Sequence, residues 1–210
     1  GWLRRSLLPG LTEVLQRNLS RGFKNLKIFE AGRVFIPGER QGSASIPPLG
    51  ERPSDEVLAD LNAGIPEQPV YFSGLFAGAE HEPMPGTQAR AYDWRDALDA
   101  ARLIADVLGV EIVIAQGTHQ AFHPGRTAQL RTQDGQTIGY AGELHPKLLQ
   151  TENLPERTCA FEVNFTELFA SRSGVPQASP IYGYPAATQD VALVVDENIP
   201  ASEVAQALRD

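Results

Sequence analysis

The chain has 210 residues, of which 42% are hydrophobic and 21% are charged, values typical of a globular protein with a buried core. Its net charge of −8 excludes a surface built mainly to neutralise phosphates, and its single cysteine excludes an internal disulfide. No apolar stretch approaches the ~20 residues that a bilayer-spanning helix needs, so we expect no membrane contact and a cytoplasmic location.

A helix and a strand are predicted first along the chain. Leucines recur at helical spacing over residues 8–21, and Gly22 supplies a stop. The pattern of residues 26–36 changes to the alternation of a strand, which predicts a strand, then a bend, then more strand. Residues 37–69 are rich in Pro and Gly, which predicts a long mobile insertion with one short helix capped by Ser54.

A second helix is predicted over residues 93–108, where one apolar stripe ends at Gly109. The remaining periodic segments are predicted strands: 70–79, 111–115, 127–132, 136–140 and 159–165. Asp134-Gly135 indicates a hairpin between two of them, which favours antiparallel pairing. Thr166 is expected to cap a last helix that runs to about Ser171.

The C-terminal part predicts a linker and a small second unit. Residues 171–183 are rich in Ser, Pro and Gly, and a new unit starts near Tyr184 with a strand at Asp190–Val195 and a helix from about Ala201. One β-α step offers too little apolar surface for an independent domain. Because the chain starts with Gly1 and its last helical pattern has no stop signal, we expect that both ends are cut.

Several motifs, in their order along the chain, resemble one family. They are Leu3-Arg4-Arg5-Ser6-Leu7-Leu8-Pro9-Gly10, Phe29-Glu30-Ala31-Gly32-Arg33-Val34-Phe35, Tyr92-Asp93-Trp94, His123-Pro124-Gly125-Arg126, Gly142-Glu143-Leu144-His145-Pro146 and Ala160-Phe161-Glu162-Val163-Asn164. In this order they resemble the segment of the phenylalanine–tRNA ligase β subunit that is built like a class II synthetase catalytic core. The resemblance covers nearly all of residues 1–170.

The resemblance implies a fold and a set of partners. The implied fold is α+β, with an antiparallel sheet flanked by helices. Residues 1–172 would form a core like the catalytic domain of a class II aminoacyl-tRNA synthetase. Residues 173–183 would form a linker, and residues 184–210 the truncated start of a ferredoxin-like anticodon-binding domain. Gln189 stands where this last domain usually has an arginine. The implied partners are a catalytic α subunit, a second αβ pair in an (αβ)2 heterotetramer, and tRNA(Phe) through the whole subunit. The implied reaction of the whole enzyme is the attachment of phenylalanine to tRNA with ATP and Mg.

The same resemblance predicts that this segment is not catalytic. Class II synthetases hold the α-phosphate of ATP with a Phe-Arg-x-Glu motif, but here Phe35 is followed by Ile36. Their second ATP signature is a Gly-rich strand that leads to an arginine. Residues 159–168 contain no glycine and no arginine. They place Glu162 and Glu167 near where a polyphosphate would lie, and these like charges would repel it. We therefore expect no catalytic residue, no cofactor site and no metal site in this chain.

Five residues are candidates for a structural role or for a vestigial pocket: Arg33, His123, Arg126, Glu143 and His145. Either Arg126 and Glu143 form a buried ion pair between two strands, or Arg126 and Arg33 line a vestigial pocket for a small anion. A metal site built on His119 and His123 is disfavoured because Pro124-Gly125 break any helix that would align the pair. Cys159 is interpreted as a core residue.

The favoured function is therefore a non-catalytic scaffold that organises the heterotetramer and supports the active site of the α subunit. Two alternatives stay open. A free-standing synthetase-like protein that binds a small molecule would need a competent anion clamp, and an RNA-binding module that uses the C-terminal unit would show salt-dependent tRNA binding.

Overall fold

The computed structural model describes residues 3–38, 46–172, 174, 178, 181, 183–185 and 187–208. The chain divides into two compact units, Gly1–Pro176 and Gln177–Asp210. Residues 39–45 of the predicted insertion lie outside the described ranges, and so does most of the predicted linker at 173–183. Within the described ranges, no helix has the length and apolar character to cross a membrane.

The first unit is built on one antiparallel sheet. Its strands are β1 (Leu26–Arg33), β2 (Val70–Ala77), β3 (Val113–Gln116), β4 (Phe122–Arg131), β5 (Thr137–Leu144) and β6 (Cys159–Asn164). Its helices are α1 (Leu8–Ser20), α2 (Asp55–Ala63), α3 (Trp94–Leu108), α4 (Pro146–Thr151) and α5 (Phe165–Ala170). The six strands lie in the order β1-β2-β6-β5-β4-β3. The predicted α+β class with an antiparallel sheet is thus confirmed.

Helix α1 covers one face of the sheet. A proline lies in its first turn, where the missing N–H costs no helical hydrogen bond. Leu8, Leu11 and Leu15 are buried on one side of the helix, as the leucine spacing predicted. They join a core cluster with Leu75 of β2 and Phe122 of β4. Burial of each leucine contributes about 1.5–3 kcal/mol, so this face fixes α1 on the sheet.

Helix α3 covers the opposite face. It begins with a capping box between Asp93 and Asp96 and ends at Gly109, whose φ of 66° is the left-handed conformation that glycine tolerates best. The side facing the sheet carries mostly small residues, such as Ala97 and Ala101, which are buried against Phe161 of β6 and its neighbours. The two faces of the sheet therefore have separate cores.

Two local predictions need correction. The bend expected at Gly32 does not form, because Gly32 is a regular residue of β1 paired with Tyr71. The cap of α5 is Asn164, whose side chain accepts a hydrogen bond from Glu167 N–H at 3.2 Å. The Thr166 hydroxyl instead accepts the N–H of Val70 at 2.9 Å, so it joins α5 to the start of β2.

The second unit contains one helix among its described residues, α6 (Ala201–Ala207), near the position that the sequence indicated. The strand expected at Asp190–Val195 is absent from that described stretch. Val191, Leu193 and Val194 are exposed there. A strand needs a hydrogen-bonded neighbour and a face to bury, and this stretch has neither in the described chain.

Candidate functional site

A cavity of about 740 Å³ lies on the α1 side of the sheet. The start of α1, the start of β2, the end of β6, the first half of β5 and the loop before β4 all contribute residues to its wall. Its volume is within the range of small-molecule sites, which is roughly 300–1,000 Å³.

Glu162 of β6 is the central charged group of this cavity. Its neighbours on the sheet are Ser73 of β2 and Tyr140 of β5. Its Oε1 accepts hydrogen bonds from the Leu7 N–H at 2.8 Å and from the Ser6 hydroxyl at 3.0 Å. Burial raises the pKa of Glu162, although these hydrogen bonds oppose the increase. The carboxylate therefore anchors the start of α1 to the sheet across 155 residues of sequence.

Aromatic side chains form a second part of the wall. The ring of His119 lies 4.7 Å from that of Tyr140 and 5.5 Å from that of Phe122, measured between centroids. Burial lowers the pKa of His119, which favours the neutral imidazole. Its Nδ1 accepts the N–H of Ala121 at 3.3 Å.

Tyr71 lies on β2 directly across from Asn164 of β6. Burial raises the pKa of the Tyr71 phenol, and the charges of Glu162 and Glu167 raise it further. The phenol is therefore a hydrogen-bonding group and not a base at neutral pH. Together with Glu162 it gives one end of the cavity a polar, electronegative surface.

Carboxylates outnumber basic groups among the described residues that line this cavity. Ile36 occupies the position expected to hold the phosphate-binding arginine, and it forms a bridge with Glu67 through hydrogen bonds of 2.9 and 3.1 Å. The charged residues that line the cavity are three carboxylates and one guanidinium: Glu13, Glu152, Glu162 and Arg5. This balance repels a polyphosphate and attracts a cation.

Two of the candidate residues, one on β4 and one on β5, meet in an ion pair. The Arg126 guanidinium lies 2.7 Å from Glu143 Oε2, and Arg157 lies 3.3 Å from Oε1 of the same carboxylate. The Glu143 side chain is only 4% exposed, whereas the two arginine side chains are 49% and 59% exposed. The ion pair that the sequence suggested therefore joins β4 to β5. No motif or periodicity indicated Arg157, which lies in the loop before β6 with a φ of 62°.

Of the other three candidates, His123 lines a cavity of about 560 Å³ together with Arg126 and Glu143, whereas Arg33 and His145 are not among the described residues of its wall. Arg33 lies at the end of β1, where it donates to the Gln68 carbonyl at 2.9 Å, and three strands separate it from Arg126. His123 accepts the N–H of Gly125 at 3.0 Å, and His145 accepts the N–H of Lys147 at 3.1 Å as the cap of α4. In the described ranges, no group of three or more His, Cys, Asp or Glu side chains could hold a metal ion.

A family model described as "Phenylalanyl tRNA synthetase beta chain CLM domain" matches residues 1–165. The chain is 45% identical over 211 residues to a phenylalanine–tRNA ligase β subunit of Leifsonia xyli, covering 100% of the chain and 25% of that protein. It is 44% identical to the β subunit from Streptomyces avermitilis and 40% identical to that from Thermobifida fusca. Each of these two matches covers 99% of the chain and 25% of the relative. The chain thus spans about a quarter of the length of these curated relatives.

Among solved structures, the fold is similar to that of a pyrrolysyl-tRNA synthetase from Desulfitobacterium hafniense. The TM-score is 0.49 at 17% sequence identity, covering 80% of the chain and 49% of that structure.

Proposed function

The chain belongs to the phenylalanyl-tRNA synthetase β-chain family, and from that premise we propose that it is a non-catalytic structural module of a phenylalanine–tRNA ligase. The whole enzyme attaches phenylalanine to tRNA(Phe) with ATP and Mg in the cytoplasm. The module assembles with a catalytic α subunit in an (αβ)2 heterotetramer and supports the active site of that subunit.

The observation that carries the non-catalytic role is the charge of the cavity beside β6. Three carboxylates and one guanidinium line it, and its central charge is Glu162. Adenylate formation requires cations that stabilise charge as it moves between phosphates. A cavity with an excess of carboxylates disfavours both the binding of ATP and the transition state of adenylate formation.

An exposed face of β1 supports the scaffold role. β1 is an edge strand, and the Phe29 side chain is 76% exposed although it lies inside a regular strand. Ala31 pairs with Phe72, whose ring lies 4.9 Å from that of Phe165 on α5. The exposed residues of this face are Phe29 and Ala31 between Lys27 and Arg33. An exposed aromatic ring on a sheet edge is unfavourable in water, and a partner subunit would bury it. We assign this face to the α subunit.

The domain organisation is part of the proposal. Residues 1–172 form the synthetase-like core, 173–183 form a linker, and 184–210 begin a ferredoxin-like domain that contacts tRNA through the whole subunit. The exposed side chains of Val191, Leu193 and Val194 support this organisation, because a complete sheet would bury them.

Two assays test the catalytic part of the proposal. The purified 210-residue chain should catalyse no phenylalanine-dependent exchange of pyrophosphate into ATP. The α subunit should gain aminoacylation activity when it is combined with the full-length β subunit. Exchange catalysed by the chain alone would overturn the non-catalytic role.

Co-purification with the α subunit tests the docking face. Phe29→Ser should weaken association, because it removes the exposed aromatic ring from β1. Leu103→Ser is the matched control, since Leu103 is also exposed, at 62%, but lies on α3. Equal effects of the two substitutions would contradict the assignment of β1 as the interface.

A further inference from the structure

A second cavity lies where β4, β5, α4 and the loop before β6 meet. Its volume of about 560 Å³ is within the range of small-molecule sites. Charged side chains and three leucines, Leu144, Leu149 and Leu154, share its wall. A few charged groups set among apolar side chains are typical of a site that orients a small ligand. The scaffold role makes no use of this cavity.

Two guanidinium groups of this wall are held by one buried carboxylate. Arg126 donates to Glu143 Oε2 at 2.7 Å and Arg157 donates to Oε1 at 3.3 Å, each through one terminal nitrogen. The Glu143 side chain is 4% exposed, whereas the arginine side chains are 49% and 59% exposed. A guanidinium carries five N–H donors, so each arginine presents further donors to solvent. Side chains that are oriented in advance lose less conformational freedom when a ligand binds.

The backbone is shaped to bring both arginines to this place. Arg126 lies in the irregular part of β4 between Phe122 and Thr127, and a Cβ at Gly142 of β5 would collide with the Arg126 carbonyl. Arg157 has a φ of 62°, the left-handed conformation that few residues other than glycine adopt. That conformation costs more than a half-exposed ion pair usually returns. The contact with Glu143 alone therefore leaves the position of Arg157 unexplained.

The charge balance selects the class of ligand. Two guanidinium groups against Glu143 leave one positive charge in excess, and Glu156, the other carboxylate of the wall, is exposed and screened by solvent. A carboxylate carries one negative charge, and its two oxygens match the parallel donors of a guanidinium. His123 adds a donor, because its Nδ1 accepts the Gly125 N–H and the proton of the neutral ring is then on Nε2.

We propose that this cavity binds a small aliphatic monocarboxylate, with the carboxylate at the exposed sides of Arg126 and Arg157 and the hydrocarbon body against the leucines. The sequence had suggested an anion pocket made by Arg126 and Arg33, but the second guanidinium of this cavity is Arg157. Neither Arg126 nor Arg157 lines the larger cavity beside β6, so the two cavities can be tested separately.

The competing explanation is that the two arginines serve only to neutralise Glu143. In that case no carboxylate would bind saturably at neutral pH. Arg157→Met tests the assignment, because it removes one guanidinium and keeps the apolar stem. Arg52→Met is the matched control, since Arg52 is 82% exposed in its side chain and is not among the described residues of this wall.

The experiment is an NMR titration of the 210-residue chain at neutral pH and constant ionic strength. Isovalerate should bind saturably and shift the amide signals of Arg126 and Arg157. Its neutral analogue isovaleramide and the cation isoamylamine should bind at least roughly tenfold more weakly. Inorganic phosphate should also bind more weakly than isovalerate. Arg157→Met should weaken isovalerate binding by roughly tenfold or more, whereas Arg52→Met should leave it unchanged.

The proposal is overturned if isovalerate does not bind the wild-type chain, or if isovaleramide or phosphate binds as tightly. It is also overturned if Arg157→Met has no more effect than Arg52→Met. N-acetyl-alanyl-leucine, a peptide with a free carboxylate, tests whether the ligand is a protein segment, and tighter binding than that of isovalerate would overturn the assignment to a small acid. The comparisons among probes need no variant, so the test holds even if a substitution prevents folding. None of these results bears on the scaffold role, which is measured by co-purification and pyrophosphate exchange.

Discussion

The clamp of two arginines on Glu143 gives a quantitative prediction about stability. Glu143 is 4% exposed in its side chain, and its oxygens contact Arg126 at 2.7 Å and Arg157 at 3.3 Å. Replacement of either arginine by Met keeps the apolar stem and removes the charge. The perturbation therefore isolates the electrostatic part of the contact.

The expected magnitudes follow from burial. A hydrogen bond to a charged group contributes about 1.5–3 kcal/mol, but both guanidinium groups are about half exposed and water already solvates them. We expect Arg126→Met to lower the free energy of unfolding by about 1–2 kcal/mol, and Arg157→Met by less because its contact is longer. The double variant leaves a buried carboxylate without a partner and should cost about 3–5 kcal/mol, more than the sum of the single changes.

Urea denaturation of the four proteins, followed by circular dichroism, measures these free energies. Arg52→Met is the control, because the Arg52 side chain is 82% exposed and lies 3.6 Å from Asp55. It should change stability by no more than about 0.5 kcal/mol. A double variant at Arg126 and Arg157 that loses less than about 1 kcal/mol would refute the argument that Glu143 depends on this clamp.

Four further predictions concern α1, the sheet and its core. Gly139→Ala should destabilise the chain by roughly 1–3 kcal/mol, because a Cβ there would collide with the Glu162 carbonyl and lie 2.9 Å from Val163 Cα. Gly10→Ala in α1 should instead stabilise it by roughly 0.5–1 kcal/mol, since the nearest atom is 3.9 Å away, and denaturation midpoints would show both effects. Burial raises the pKa of Glu162 above its ordinary 4.5, so the folded state holds this proton more tightly than the unfolded state does. The free energy of unfolding of the wild type, minus that of Glu162→Gln, should therefore fall as pH rises from 4.5 through the raised pKa. Urea denaturation at several acidic pH values measures this difference in free energy, and an increase with pH would contradict the prediction. Burial raises the pKa of the Cys159 thiol to about 12, so maleimide should label it only after unfolding, and rapid labelling of the native chain would contradict its place in the core.

The sequence predicted those elements that depend on local patterns. The leucine spacing of α1 and the stripe of α3 ended by Gly109 are periodic signals within one segment, and both helices formed where they were expected. The hairpin at Gly135 also depends on one local requirement, a φ of 88° in the turn. The cap of α5 was missed because Asn164 and Thr166 are both good caps. Only the contact of Thr166 with β2, far away in sequence, decides between them.

The candidate site was less predictable because its contacts are long-range. The hydrogen bond from Leu7 to Glu162 joins residues 155 positions apart, and no periodicity or motif indicates it. The pairing of Arg126 with Glu143 was suggested because both lie in neighbouring motifs, whereas Arg157 has no such signal. The strand expected at Asp190–Val195 failed for a related reason, since a strand depends on a neighbour that the pattern of one segment does not supply.

The proposed function predicts that the chain does not bind a triphosphate. Calorimetric titration of the purified chain with ATP and Mg tests it most directly. We predict no saturable heat and, in a parallel thermal melt, no rise in Tm, because a ligand that binds only the folded state must raise stability. Saturable binding of ATP that is weakened by substitutions in the cavity at Tyr71 or Glu162 would contradict the account.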